Sequence, residues 1–99
     1  MAHREFYYII IYDIRDERRL RKIAKIMEKY GKRVQYSVFE VRGDPLLIEV
    51  IRNEYIPIIN PEEDSVVIYK LCDSDWKKRE KYGRKTDYED TSPNDIFIF

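Results

Sequence analysis

The 99-residue chain has a single cysteine, Cys72, and a single histidine, His3. One thiol excludes an intrachain disulfide. One histidine, placed close to the terminus, leaves little room for imidazole acid–base catalysis. The three glycines, Gly31, Gly43 and Gly83, stand far apart, so no glycine loop is present to cradle a phosphate. No serine-nucleophile motif and no zinc-ligand spacing occur. The apolar run at the start spans only Phe6 to Tyr12. That is too short to cross a bilayer or to serve as a cleaved leader, so a reducing, cytoplasmic setting without membrane association is expected. Formal net charge is zero, and bulk basicity therefore does not mark a nucleic-acid binder.

What is present is an apolar fraction of 43%, enough for one small globular domain. Charged residues make up 38% of the chain, against about 25% in an ordinary domain. The charge is unevenly placed. Arg15 to Arg33 holds nine cations and three acids, a local +6 that the rest of the chain cancels. A neutral protein with one basic segment can still bind phosphates there.

Residues 5–13 read as a buried strand rich in β-branched and aromatic side chains. Asp16 is placed to cap a helix whose apolar face is Leu20, Ile23, Ala24, Met27 and Tyr30. Gly31 suits a left-handed residue past its end. In "RVQYSVFEVRG" the alternation changes phase near Ser37 and Val38, which predicts a bulge or sharp bend between two short strands. Asp44 and Pro45 start a second helix, with Leu46, Leu47, Val50, Ile51 and Tyr55 as its apolar face. "DSVVIYKL", residues 64–71, is another strand. The order βαββαβ predicts an α+β, ferredoxin-like antiparallel sheet with both helices on one face and right-handed crossovers. The single domain divides into a core of about 5–71, a polar arm over 72–93 without apolar periodicity, and a C-terminal strand over 94–99. The closing "IFIF" suits an added edge strand, on its own sheet or on another protomer, and pairing with the other protomer is expected.

With serine and histidine chemistry set aside, carboxylates remain. Asp13 ends the most apolar segment, immediately before the basic helix. Two readings of it stand side by side: acceptor of backbone hydrogen bonds in the turn, or ligand of a hard cation such as Mg²⁺ held against a phosphate. Two copies of Asp13 across a two-fold axis would make the better metal site. Asp16 reads as a helix cap. Arg18, Arg19 and Arg33 could neutralise phosphates or form a solvated, ion-paired face. Gln35 and Ser37 could line a site or face water. Tyr7, Tyr8 and Tyr12 fit a core.

The segments "YDI", "RDERRLRKIAKIMEKYG", "RVQYSVFE" and "DSVVIYKL" together resemble the CRISPR-associated Cas-two family of small nucleases, over about residues 6–71. The resemblance implies a homodimer in which the first-strand aspartates face each other. Asp13 would then be the catalytic and Mg²⁺-binding residue, with Mn²⁺ able to substitute. It also implies nucleic-acid binding by Tyr12, Arg18 or Arg19, Arg33 and Ser37, and a role for Phe39 in site architecture. The activity implied is metal-assisted phosphodiester hydrolysis of single-stranded RNA or double-stranded DNA. The role implied is spacer acquisition with the Cas-one integrase. A dimeric DNA-binding adaptor that bridges integrase subunits without cleaving is the alternative. A small-molecule regulatory module is a third reading, disfavoured by the basic first helix.

Overall fold

Alternation along the first strand decides which way the sheet faces. In the computed structural model, which describes residues 5–83 and 95–96, β1 spans Phe6–Asp13. Its even-numbered side chains Tyr8, Ile10 and Tyr12 are buried, whereas Ile11 and Asp13 are exposed, as a two-residue period with one covered face requires. The covered face meets two helices. α1 spans Glu17–Tyr30 and buries Ile23, Ile26 and Met27. α2 spans Pro45–Tyr55 and buries Ile48, Ile51 and Tyr55. These residues, with Phe39 and Val41, form one core with the even positions of β1. Both helices therefore lie on the same face. Lys29 and Tyr30 at the end of α1 also hydrogen-bond to Glu54 of α2.

β2 (Lys32–Gln35), β3 (Val38–Gly43) and β4 (Ser65–Leu71) complete the sheet. The strand order is β2-β3-β1-β4, and every pairing is antiparallel. This is the expected ferredoxin-like arrangement. The phase change in "RVQYSVFEVRG" is a two-residue turn at Tyr36 and Ser37, and the register between β2 and β3 shifts between Arg33 and Gln35.

The caps sit where the sequence places them. The Asp16 carboxylate accepts the Arg19 amide at 3.0 Å, and that bond is the main reason its pKa is lowered. Asp44 accepts the amides of Leu46 and Leu47, with Pro45 leading the helix. Two local expectations are corrected. Gly31 is extended (φ −142°, ψ −176°), not left-handed. Its missing side chain has another cause: a Cβ there would lie 2.6 Å from the Glu40 carbonyl oxygen and 2.7 Å from Val41 Cγ2 on β3. The buried face of α2 also differs by part of a turn, so that Ile48 is inside while Leu46 and Val50 face out.

Beyond β4 the polar arm is not wholly irregular. α3 (Asp73–Lys77) is a short helix that lays Trp76 flat on Tyr7, with ring centroids 4.4 Å apart. β5 (Lys81–Tyr82) pairs in parallel with β6 (Asp95–Ile96) of the same chain. The expected C-terminal strand over 94–99 and its pairing with another protomer otherwise fall outside the described residues, as does His3. Among the described residues no helix is long and apolar enough to cross a membrane.

Candidate active site at the end of β1

Asp13 is the last residue of β1 and belongs to the open face, opposite the helices. Its Cα pairs with that of Ser65 at the start of β4. On the other side, the Tyr12 amide donates to the Ser37 carbonyl oxygen at 3.1 Å. Asp13, Ser37 and Ser65 are thus gathered at one end of the sheet by pairing alone. The Asp13 carboxylate is largely open to solvent, and one oxygen lies 3.2 Å from Arg15 Nη2. An exposed pair of this kind is weak, so the carboxylate is available to a stronger partner.

A hard, exposed carboxylate at a strand end fits Mg²⁺, which usually takes one or two protein carboxylates and completes its shell with water and substrate phosphate. Among the described residues no cluster of three or more His, Cys, Asp or Glu side chains could hold a metal by itself. The open face near Asp13 carries exposed Ser65, its strand partner, Glu40 registered against Ile9, and an apolar group. Ile11, Val67 and Tyr69 are exposed, Ile11 is registered against Val67, and Ile9 against Tyr69.

The other residues expected in the site are divided between the two faces of the sheet. Tyr12 is only 3% exposed and stacks on Phe39 at a centroid distance of 6.1 Å. Phe39 is fully buried. The Arg33 guanidinium lies 5.2 Å from the Phe39 ring centroid and donates to Glu28 at 3.2 Å. Tyr12, Phe39 and Arg33 therefore form a stack on the helix-covered face, away from the Asp13 carboxylate. Phe39 suits the architectural role, because it backs the strand that ends in Asp13. Burial pushes the Tyr12 phenol up, and the nearby Arg33 charge opposes that shift. The Tyr12 hydroxyl and Arg33 Nε are buried, with no hydrogen-bond partner among the described residues.

The two neighbouring arginines also separate. Arg18 is exposed. Arg19 turns inward, donating from Nε to Asp64 Oδ2 at 2.8 Å and from Nη2 to Glu63 at 2.9 Å. The hydrogen bond to Asp64 raises the guanidinium pKa further and holds the Asp64 carboxyl well below the ordinary range. Of the pair, Arg18 is the one free to meet phosphate. Arg21, Lys22, Lys25 and Lys29 are exposed along the same helix, with Arg21 paired to Glu17 and Lys29 to Glu54.

Sequence reasoning passed over two residues here, Arg15 and Asp64. Arg15 was visible only as one charge in a basic run. Asp64 was read as the opening residue of a strand, and its arginine partners lie more than forty positions away.

The model of the family described as CRISPR associated protein Cas2 matches residues 6–79. The chain belongs to the Cas2 family. A Synechocystis protein named CRISPR-associated endoribonuclease Cas2 2 is 33% identical over 93 residues, covering 93% of this chain and 97% of that one. A Rhodospirillum rubrum protein, CRISPR-associated endoribonuclease Cas2 4, is 46% identical over 66 residues, which are 66% of this chain but only 52% of that protein. This chain thus spans about half the length of that Cas2 relative. The crystal structure of Streptococcus pyogenes Cas2 superposes with a TM-score of 0.66 at 34% identity, covering 76% of this chain and 95% of that one. The α+β antiparallel architecture is shared with solved Cas2 structures.

Proposed function

We propose that the chain is a metal-dependent endonuclease of the CRISPR system that hydrolyses phosphodiester bonds of single-stranded RNA or double-stranded DNA as a homodimer. The observation that carries this reading is the placement of Asp13: an exposed carboxylate ending the central strand β1, on an open face that also exposes Ile11, Val67 and Tyr69. Two copies packed through Ile11, Val67 and Tyr69 bury that surface and bring their Asp13 side chains towards a common axis. The relatives named CRISPR-associated endoribonuclease supply the nucleic-acid chemistry.

In the dimer the two Asp13 carboxylates would hold Mg²⁺ or Mn²⁺. When bound, the metal supplies Lewis-acid polarisation and a bound water of lowered pKa. The chain's own residues have separate tasks. Arg15 carries guanidinium donors at Asp13 and can pass them to a phosphate oxygen, because its present contact is solvent-exposed. Arg18 and the outer face of α1 neutralise the backbone and set the register without reading bases. Ser65 borders Asp13 as its strand partner, and Ser37, in the turn before β3, accepts the Tyr12 amide.

The chain would act in spacer acquisition beside the Cas-one integrase. The alternative is a dimeric, non-catalytic adaptor that uses the same basic helix to hold duplex DNA. It would rest on the exposed cations of α1, Arg18, Lys22 and Lys25, and needs no metal. The deciding experiment incubates purified protein with end-labelled single-stranded RNA and with duplex DNA, in Mg²⁺ and in chelator. Cleavage confined to the Mg²⁺ arm supports the nuclease. Duplex binding without cleavage in either arm supports the adaptor.

A further inference from the structure

Asp64 is the one buried charged residue among those described. Its side chain is fully enclosed and all its acceptor capacity is in use. Oδ1 accepts the Arg15 amide at 2.9 Å and Arg19 Nη2 at 3.2 Å. Oδ2 accepts Arg19 Nε at 2.8 Å and the Asn60 amide at 2.8 Å. Four donors thus converge from three segments: the turn after β1, the first turn of α1, and the loop between α2 and β4. A buried carboxylate is tolerable only when paired and hydrogen-bonded in this way, and the arginine fork fixes its orientation.

The position of this clamp matters more than its strength. Asp64 immediately precedes Ser65, the strand partner of Asp13, and it holds the amide two residues beyond Asp13. The backbone at Asp13 is therefore fixed from both sides, by the pairing with Ser65 and by the bond to Arg15. The same bond fixes the Arg15 backbone, from which the exposed side chain reaches Asp13. We infer that Asp64 is the positioning residue of the candidate site: with Arg19 it sets the turn that aims the Asp13 carboxylate and the Arg15 guanidinium at a common cation-and-phosphate position. This inference rests on the reading of Asp13 as the metal-binding residue. It assigns Arg19 to the support of that residue rather than to direct phosphate contact.

The test uses the full chain and Mn²⁺ as the probe. Mn²⁺ affinity is measured by proton relaxation, and amide exchange by NMR, for wild type, Asp64→Asn and Asp13→Asn. An asparagine at 64 keeps one acceptor and turns the other oxygen into a donor facing donors, so it cannot hold all four bonds. Asp64→Asn is expected to speed exchange at the Arg15 amide, leave the centre of β1 protected, and weaken Mn²⁺ binding about 10- to 100-fold, the usual effect of losing an outer partner. Unchanged exchange at Arg15 would overturn the inference. So would faster exchange with unchanged Mn²⁺ affinity, since the clamp would then be structural only. If wild type and Asp13→Asn bind Mn²⁺ alike, the reading of Asp13 fails first and takes this inference with it. Should Asp64→Asn not fold, Arg19→Lys keeps the charge and removes the fork. It must weaken Mn²⁺ binding in the same direction, and unaltered affinity in that variant would refute the role.

Discussion

Val67→Glu separates folding from dimerisation. Val67 is 43% exposed on the open face and is registered against Ile11, two residues before Asp13. In the single chain its outer side meets water, so a glutamate there is expected to move folding stability by no more than about 0.5 kcal/mol. In a two-fold dimer through this face the same side chain is covered twice, once per copy. Full burial of a valine-sized side chain contributes about 1.5–3 kcal/mol. The fraction still exposed here corresponds to roughly 0.6–1.3 kcal/mol per copy, or about 1.3–2.6 kcal/mol for the pair. That is a loss of roughly eight- to seventy-fold in dimer affinity. The desolvation of two introduced carboxylates adds to it. Sedimentation equilibrium gives the dissociation constant, and a thermal melt followed by circular dichroism reports the fold. A variant that dimerises as tightly as wild type would refute the assignment of this face. A collapse of the melting temperature would show that Val67 is a core contact instead.

Three further outcomes are expected. Asp64 has its folded pKa depressed by Arg19, so its contribution to stability is complete above its unfolded value of about 4 and is lost as pH falls below it. Thermal melts should show stability dropping below about pH 4. Asp64→Asn should flatten the fall without abolishing it, since Asp16, Glu54 and Asp75 are lowered in the same sense. Arg18→Glu should weaken duplex binding across all sequences and reduce the salt slope, as loss of a phosphate contact does; binding isotherms at several salt concentrations check it, and a loss confined to particular sequences would count against it. Gly31→Ala should lower the melting temperature, because its Cβ meets the Glu40 carbonyl, a backbone atom that cannot swing aside.

The parts of the fold that were legible in the sequence are those governed by local rules. The alternation in β1, the caps at Asp16 and Asp44, and the phase change near Ser37 each depend on neighbours a few positions apart. Gly31 was misread for the complementary reason. Its requirement comes from β3, nine residues on, and not from the end of its own helix. The α2 face slipped because Leu46, Leu47, Ile48, Val50 and Ile51 leave two helical stripes available, and only the packed sheet chooses between them. In the candidate site, Asp13 was visible as a carboxylate ending an apolar strand. Burial of Tyr12 on the opposite face follows from the same alternation. The division of labour between Arg18 and Arg19 was not visible, because it is set by Asp64, 45 positions from Arg19. Trp76 likewise looked like part of a featureless polar arm until the sheet supplied Tyr7 beneath it.

The most direct test of the central claim is cleavage by Asp13→Asn. Asparagine keeps the size and removes the charge that would hold the cation. Asp16→Asn is the matched control, because asparagine caps a helix as well as aspartate does. Under single-turnover conditions in Mg²⁺, Asp13→Asn is predicted to remain folded and dimeric and to cleave slower than wild type by orders of magnitude, while Asp16→Asn cleaves at close to the wild-type rate. Cleavage by folded Asp13→Asn at the wild-type rate would contradict the account.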